Sequence, residues 1–496
     1  MNVLYTEFSE PHWVTVAKRL QDRANWQPQQ WIAEARMHQP VTEAFGEGVF
    51  RDRIQVMRLN QQCSRASLLS VTLLEQLATH QVQALKMMSR MDASGRDFSF
   101  EERLDYYYQL LSHWSAVLEQ DRPDLVCFLE TPHVIYDYVL YALCQVSKVP
   151  TLMFMRMKIG KHVCVTPSFE NGPLPVQEAL QASSSTQLPE ILLADKQRLR
   201  GTYEQGMPEQ QRTLHQASNA KGTVGARWAM LRERLRPRRA HPSSYLKPPK
   251  AHSMAHGLSH LDYRRSKWHG MRARRSIEGT YRQLAQPANW QASLVYVPLN
   301  YQPEKTTSPD AGWFADMRLM VRQLAHALPT DWQLYVREHP ATFLDASGSG
   351  RGHMLRTPGF YKDLADLPNV RLIALEEDSF QLIDQSKAVA TGTGTAAWEA
   401  VNRGKPAICF GVAWFFGCPG VYQADRHTPL QALFDEVQAK PTVSDHDVLR
   451  YWSAVTRSCR EARINSARHS DPADTEENIT ALTDLLSESY QRYYTL

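Results

Sequence analysis

Polar side chains follow several short apolar runs of this chain, at the points where those runs end. His339 and Pro340 follow LYVRE, and Thr393, Gly394 and Thr395 come soon after AVAT. An imidazole can donate a hydrogen bond to a phosphate oxygen, and exposed amides at a helix N-terminus bind anions. The spacing therefore predicts a nucleotide-phosphate site formed by these five residues. A histidine that caps a loop and an ordinary tight turn are the alternatives.

Two carboxylates occupy comparable positions in the two halves of the chain. Glu130 ends the run DLVCFLE, and Glu304 lies in the loop after SLVYVPLN. Retaining glycosyl transfer uses one carboxylate as nucleophile and one as acid/base, roughly 5 Å apart. Glu130 and Glu304 are therefore the predicted catalytic pair, with capping of a helix N-terminus as the alternative for Glu130.

Further polar residues cluster around these positions more densely than a turn requires. Glu399 lies one helical turn beyond the Thr/Gly turn and is predicted to bind ribose hydroxyls of the nucleotide, with an ordinary surface glutamate as the alternative. The residues predicted to contact substrate are Asn300, Gln302, Thr306, Thr307, His133 and Asp137.

The first third of the chain alternates between strand-like and helical segments. VLYTEF, DLVCFLE and PTLMFM read as strands, QQWIAEAR follows a short turn, and residues 12–23, 60–90 and 101–120 have helical spacing. Such alternation predicts a parallel sheet that helices cover on both faces.

The alternation stops between about 168 and 290 and then resumes. Gln, Arg, Ser and Pro are frequent in the interval, which predicts helices and an irregular loop at 236–252. Later strands are expected at 294–299, 332–337, 370–374, 387–391 and 406–410. The predicted fold class is α/β, with two Rossmann-like domains facing a cleft, GT-B-like, and a helical basic insertion. The predicted units are an acceptor-side domain (1–167), the insertion (168–290), a nucleotide-sugar-binding domain (291–444) and C-terminal helices (445–496).

Taken in order, these motifs resemble the bacterial capsule polysaccharide biosynthesis family, which includes retaining β-Kdo transferases that use CMP-Kdo. The likeness covers roughly residues 120–155 and 290–425. In that family a strand ending Pro-Leu-Gln precedes a catalytic Asp by four residues, and a His-Pro follows about 35 residues later. Here Asn300, Glu304 and His339 stand at those positions. Asn in place of Gln and Glu in place of Asp are departures from the pattern.

The resemblance implies a glycosyltransferase of surface polysaccharide biosynthesis, in capsule or lipopolysaccharide. Glu304 is its nucleophile, Glu130 its acid/base, and His339 with the Thr turn binds the donor phosphate. The donor is a nucleotide-sugar, with a CMP-sugar such as CMP-Kdo favoured, and the acceptor is a glycan or a lipid-linked glycan. Neither a cofactor nor a metal is expected.

Composition adds expectations about partners and location. The chain carries a formal charge of +4, but residues 227–282 hold 15 Lys/Arg against three acidic residues. This segment predicts contact with anionic lipid or a lipid diphosphate at the inner membrane, with a solvated loop as the alternative. No nucleic-acid motif accompanies it, so no nucleic acid is expected as a partner. Seven cysteines without paired spacing, no signal peptide and no long apolar run predict a cytoplasmic protein.

The Asp-x-Asp at 444–448 opens a predicted helix and is interpreted as a cap, not a metal site. A nucleotide-sugar epimerase of similar two-lobed fold and a non-catalytic polysaccharide-export or binding protein are the alternative functions.

Overall fold

The structure is a computed structural model that describes residues 1–59, 65–92, 98–202, 260–302, 304–343, 352–425, 427–465 and 472–495. The predicted irregular loop at 236–252 and Cys63 lie outside these residues. The other six cysteines are buried and free. Among the described helices, none is long and apolar enough to cross a bilayer.

The first sheet has seven strands in the order β13-β6-β5-β4-β1-β2-β3. Strands β1 to β5 pair in parallel with their neighbours. Strand β6 runs antiparallel to both β5 and β13. The segment QQWIAEAR supplies β2. The strands are β1 (Asn2–Thr6), β2 (Gln27–Ala33), β3 (Phe50–Asp52), β4 (Leu125–Phe128), β5 (Thr151–Arg156), β6 (His162–Thr166) and β13 (Arg460–Glu461).

Helices connect and cover this sheet. β1 and β4 are almost entirely buried, because helices pack against both faces. The helices of this part of the chain are α1 (His12–Ala24), α2 (His38–Phe45), α3 (Arg53–Met57), α4 (Val71–Gln76), α5 (Ala78–Met87), α6 (Phe100–Asp121) and α7 (Tyr136–Ser147).

The second sheet has six parallel strands in the order β12-β11-β10-β7-β8-β9. All five strands expected after residue 290 are confirmed to within a few residues. With the first sheet, this confirms the α/β fold of two Rossmann-like domains. The strands are β7 (Ser293–Pro298), β8 (Trp332–Arg337), β9 (Val370–Leu372), β10 (Ala388–Thr391), β11 (Ala407–Cys409) and β12 (Val421–Gln423).

The helices of the second half include those of the predicted insertion. The C-terminal part of α10 buries Ile277 and Tyr281 in the second domain, and α8 and α9 contribute Val176 and Leu192 to its other face. The helices are α8 (Leu174–Ala182), α9 (Glu190–Leu199), α10 (His260–Leu284), α11 (Met317–Ala327), α12 (Pro358–Ala365), α13 (Ser379–Gln385), α14 (Thr395–Asn402), α15 (Leu430–Ala439), α16 (Asp445–Ser458) and α17 (Glu476–Tyr494).

The chain returns to the first domain after α16. β13 pairs with β6, and α17 packs on α1 with Ile479, Leu482 and Leu486 in the first domain's core. The segment after residue 458 therefore completes the first sheet. The predicted unit boundaries remain predictions.

One local expectation is wrong. Ser444 precedes α16 but its side chain makes no capping hydrogen bond. Asp445 instead forms ion pairs with Lys196 and, at 2.7 Å, with Arg200, because both cations project from the α9 region.

Candidate active site

The loops that carry most predicted site residues leave one edge of the second sheet. β7, β8 and β10 are parallel neighbours and end at Pro298, Arg337 and Thr391. Because the carboxyl ends of parallel strands point the same way, the loops that begin at Leu299, Glu338 and Gly392 lie at that edge.

His339 is the second residue of the loop after β8, and it is half-buried. Its Nδ1 accepts a hydrogen bond from the N–H of Ala341 at 3.1 Å. Burial lowers the pKa of His339 to about 4, so the ring is neutral at pH 7. A neutral imidazole with its lone pair at Nδ1 carries its proton on Nε2. Nδ1 of His339 therefore caps its own loop by accepting from a backbone N–H, and Nε2 keeps an N–H for a ligand.

A buried ion pair fixes the loop that presents this histidine. Glu338 is fully buried, and its Oε2 lies 2.6 Å from Nε of Arg356. Tyr361 donates to the same oxygen at 2.7 Å. Burial alone would raise the pKa of Glu338, but Arg356 and the hydrogen bonds bring it below its usual value.

The same guanidinium reaches the loop after β7. Arg356 donates to Gln302 Oε1 and, at 3.2 Å, to the carbonyl of Asn300. Gln302 in turn donates to the carbonyl of Ala315 at 2.8 Å. One arginine thus joins the two loops, and Gln302 is bonded at both ends of its carboxamide. The predicted contact of Gln302 with substrate remains a prediction.

The Thr/Gly turn is bonded to the loop after β7. Thr391 Oγ1 donates to Asn300 Oδ1 at 3.1 Å and accepts from the N–H of Gly394 at 3.2 Å. Thr393 Oγ1 donates to the carbonyl of Thr306. A Cβ on Gly394 would lie 2.7 Å from Thr391 Oγ1, so a glycine is needed for this approach. The phosphate role of Thr393, Gly394 and Thr395 remains a prediction.

Glu399 lies one turn into α14 and is partly buried. Burial raises its pKa to about 7, although Arg403, Lys158 and a hydrogen bond with Thr395 act in the opposite direction. Its carboxyl is therefore protonated in a large fraction of molecules at neutral pH. A carboxyl in this state can either donate or accept a hydrogen bond with a ribose hydroxyl.

The raised pKa of Glu399 predicts that the stability of the protein depends on pH. Between its usual pKa of 4.5 and about 7 the folded chain holds this proton more tightly than the unfolded chain, so stability falls as pH rises through that window. We expect Glu399→Gln to be about 2 kcal/mol more stable than the native chain at pH 8, and similar at pH 4.5. Urea unfolding at both pH values measures this. Glu436→Gln, on the exposed face of α15, should show no such difference, and equal pH profiles for Glu399→Gln and the native chain would contradict the shift.

Glu304 lies in the loop after β7 with its side chain exposed. Its carbonyl accepts hydrogen bonds from the N–H groups of Thr307 and Ser308, both at 3.0 Å, and from Thr307 Oγ1 at 2.8 Å. Thr306 Oγ1 donates to its Oε2 at 3.4 Å. Backbone bonding thus holds the loop while the carboxylate remains accessible to a ligand.

On the first domain, Glu130 and His133 follow β4 and line a cavity of about 340 Å³. Burial lowers the pKa of His133 to about 4, although the negative charge of Glu130 acts to raise it. Asp137 is buried and accepts from the N–H groups of His133 and Val134 at 3.2 and 2.7 Å, and burial raises its pKa to about 7. Asp137 therefore orders the loop that presents Glu130, and its predicted substrate contact remains a prediction.

Two cations connect the domains at this point. Arg90 donates to the carbonyl of His133 at 2.5 Å and to the carbonyl of Ser308. Lys305 Nζ lies 3.4 Å from Thr131 Oγ1. The loops bearing Glu130 and Glu304 are thus held next to each other across the cleft.

Asp310 is a site residue that the sequence reasoning missed. Its Oδ2 lies 3.6 Å from Nζ of Lys305, and its Oδ1 is buried without a hydrogen-bond partner among the described residues. Burial raises its pKa, Lys305 lowers it, and the charge of Glu130 raises it further. A carboxyl that interacts electrostatically with Glu130 is a second candidate for chemistry. The only sequence signal was an Asp at the end of the polar loop that also contains Glu304.

Lys158 was also missed. It projects from the β5–β6 turn, and its ammonium interacts electrostatically with Glu304, Asp310 and Glu399. Lys158 of the first domain therefore interacts with three carboxyl groups of the second. Among the described residues, no group of three or more His, Cys, Asp or Glu is arranged to hold a metal ion.

Residues 266–456 match the model of the family described as "capsule polysaccharide biosynthesis protein". This part of the chain resembles the capsule polysaccharide biosynthesis family. The match includes β7 to β12 with His339, Glu304 and the Thr turn, and it supports the predicted glycosyltransferase class. No curated protein matches the chain.

Several solved structures are similar at low identity. The β-Kdo 2,7 transferase KpsC of Thermosulfurimonas dismutans is 10% identical, with 72% of this chain and 88% of that chain covered and a TM-score of 0.29. Its β-Kdo 2,4 transferase is 12% identical, with coverages of 67% and 79% and a TM-score of 0.27. UDP-GlcNAc 2-epimerase from Neisseria meningitidis is 11% identical, with coverages of 92% and 99% and a TM-score of 0.25. At these scores the structural likenesses carry no argument about function.

Proposed function

We propose that this protein transfers a sugar from a nucleotide-activated donor to a glycan or lipid-linked acceptor in bacterial capsule or lipopolysaccharide biosynthesis. The observation that carries the proposal is the hydrogen bond from the Ala341 N–H to Nδ1 of His339, which leaves Nε2 of the neutral ring as a donor for a ligand. The loop of His339 and the Thr/Gly turn follow β8 and β10, the two strands that flank β7, at one edge of the second sheet. The family match of residues 266–456 supports the same reading.

The proposed donor is a CMP-sugar, with Kdo as the sugar. This choice rests on the resemblance in the spacing of Asn300, Glu304 and His339 to the Kdo-transferase pattern. Glu304 acts as nucleophile and Glu130 as acid/base, so that the anomeric configuration is retained.

Leaving-group stabilisation is assigned to protein groups in place of a metal. The Nε2–H of His339 donates to a phosphate oxygen, and the positive N-terminus of α14 lies at the Thr/Gly turn. Such preorganised donors stabilise charge that develops on the departing nucleotide.

A membrane surface is the proposed location, at the cytoplasmic face of the inner membrane. Trp268 is 49% exposed on α10, and the guanidinium of Arg272 lies 4.7 Å from its ring. Arg274 and Arg275 follow on the same helix. Arginine with an exposed aromatic ring suits an anionic interface. Equal sedimentation of the protein with neutral and anionic vesicles at low salt would exclude this location.

Nucleotide binding tests the function directly. We expect CMP to raise the melting temperature, and His339→Asn to weaken CMP binding about tenfold because it loses the Nε2 donor. Asn retains an acceptor for the Ala341 amide, so the loop cap is preserved. Thermal-shift titration with CMP, UDP, GDP and ADP is the measurement. His326→Ala, on the exposed face of α11, is the control.

The outcomes separate the alternatives. A shift with UDP or GDP keeps a transferase and changes the donor. If no nucleotide stabilises the protein, the proposed site is wrong. Nucleotide released only in the presence of an acceptor distinguishes a transferase from an epimerase.

A further inference from the structure

Two buried cysteines stand opposite each other where the chain returns to the first domain. β13 pairs antiparallel with β6, and its register places Arg460 opposite Val163. In an antiparallel pair, each step back along one strand is a step forward along the other. Cys459 therefore stands opposite Cys164. Cys459 follows α16 with an extended backbone, at φ −108° and ψ 156°, so the strand geometry continues through it.

The hydrogen bonds between the strands show which type of pair the two cysteines form. The N–H of Ala462 donates to the carbonyl of Lys161 at 3.2 Å, so these two residues are a hydrogen-bonded pair. Hydrogen-bonded and non-hydrogen-bonded pairs alternate along an antiparallel ladder. Cys459 and Cys164, three positions away, are therefore a non-hydrogen-bonded pair. In agreement with this, the N–H of Cys459 donates to the carbonyl of Val455 in α16, at 2.9 Å.

This type of pair brings two side chains within bonding reach. Its Cα atoms are about 4.5 Å apart, within the range of roughly 4.4–6.8 Å that disulfides span. The thiols of Cys164 and Cys459 are hydrogen-bonded to each other, and this bond together with burial raises the pKa of Cys164. Both cysteines are free in the structure. The two sulfur atoms can therefore be joined without a large movement of either strand.

A small oxidant can reach the pair from the edge of the first sheet. β13 is an edge strand of two residues, and the side chain of Glu461 is 71% exposed. Short edge elements open locally at a small cost in free energy. Cys459 is 7% exposed and Cys164 is 0% exposed. Cys459 is therefore the thiol that an oxidant contacts first.

The pair also marks the point where the chain passes from one domain to the other. α16 ends directly before Cys459, and its Trp452 packs in the same hydrophobic cluster as Trp398 of the second domain. Cys164 belongs to β6 of the first sheet. A bond between the two sulfur atoms would join the end of a second-domain helix covalently to the first domain.

We propose that Cys164 and Cys459 form a reversible disulfide, with a small disulfide such as oxidised glutathione as the oxidant. The deprotonated sulfur of Cys459 attacks the oxidant and displaces one thiolate. The deprotonated sulfur of Cys164 then attacks Sγ of Cys459, forms the new S–S bond and displaces the second thiolate. Two protein thiols are oxidised, one small disulfide is reduced to two thiols, and the protons lost by the cysteines pass to the leaving thiolates. The inference rests on the register of β6 and β13, not on the proposed function.

Oxidation of the folded full chain with oxidised glutathione tests the proposal. After alkylation of the remaining thiols and proteolysis, mass spectrometry should find two peptides joined through Cys164 and Cys459, and dithiothreitol should separate them. Cys459→Ala should lose this linked pair. Cys418→Ala, in the same hydrophobic cluster, should keep it and is the matched control. The oxidised native chain should melt about 5 °C above the reduced chain, because the bond closes a long loop.

Several results would overturn the proposal. One is a folded chain that keeps both thiols open to alkylation after oxidation by glutathione disulfide and by diamide, a small diazene that accepts the same two electrons. Another is a link that joins other cysteines and leaves Cys164 and Cys459 reduced. A third is an oxidised chain that melts no higher than the reduced one. Cys164→Ala, which removes the other partner, should also abolish both the link and the rise in melting temperature. None of these results depends on nucleotide binding.

Discussion

Arg356→Leu is expected to lower the free energy of unfolding by about 3–5 kcal/mol, because it leaves the carboxylate of Glu338 buried without its counter-ion. The side chains of Glu338 and Arg356 are 0% and 1% exposed, so no solvent replaces the lost partner. The variant also removes the hydrogen bonds to Gln302 and the Asn300 carbonyl, so nucleotide binding should weaken together with stability. Urea unfolding followed by tryptophan fluorescence measures the change.

Arg322→Leu is the matched control for this prediction. Arg322 lies 3.6 Å from Asp363, with 54% and 40% of the two side chains exposed. Exposed pairs contribute little, so a loss below about 1 kcal/mol is expected. If Arg356→Leu cost no more than Arg322→Leu, the buried ion pair would not be what holds the two loops.

Glu304→Gln is expected to reduce kcat about 10³-fold or more while leaving nucleotide affinity within a few-fold, since the change removes the nucleophile and keeps the shape. Glu130→Gln should lose about 10²-fold to 10⁴-fold, because an acid/base group contributes that range. Release of nucleotide from the donor that binds, in the presence of acceptor, is the measurement. Glu436→Gln should retain native activity.

Asp310→Asn tests which carboxylate of the loop after β7 is the nucleophile. Asp310 forms an ion pair with Lys305 at 3.6 Å and interacts electrostatically with Glu130. It is therefore expected to act mainly by positioning, and Asp310→Asn to lower kcat about tenfold. If Glu304→Gln kept a near-native kcat and Asp310→Asn were inactive, the nucleophile would be Asp310 and not Glu304. The catalytic pair across the cleft would then be Glu130 and Asp310.

The sequence predicted the second domain well because its strands are short and buried on both faces. Continuous apolar runs such as SLVYVP and WQLYVR are consistent with only a few structures, and small or polar residues mark where each ends. Because parallel strands present their carboxyl ends at one edge, the sequence alone places Asn300, His339 and Thr393 at the same edge of the sheet.

The remaining features depend on contacts that leave no local pattern. Glu338 and Arg356 are 18 residues apart in different loops, and neither the burial of the pair nor its link to Gln302 follows from periodicity. The charged groups around Asp310 and Lys158 include residues of the opposite domain, which lie far away in the sequence. β13 has two residues, too few for an alternation to be recognised.

The return of the chain through β13 and α17 bears on synthesis of the protein. During translation the first domain emerges from the ribosome before the second, yet β6 remains an unpaired sheet edge until residues 460–461 have been made. The core under α1 likewise lacks the apolar side chains of α17 during that interval. Unpaired edges promote association between nascent chains. A ribosome-bound intermediate of this protein therefore holds a nearly complete second domain beside an incomplete first one.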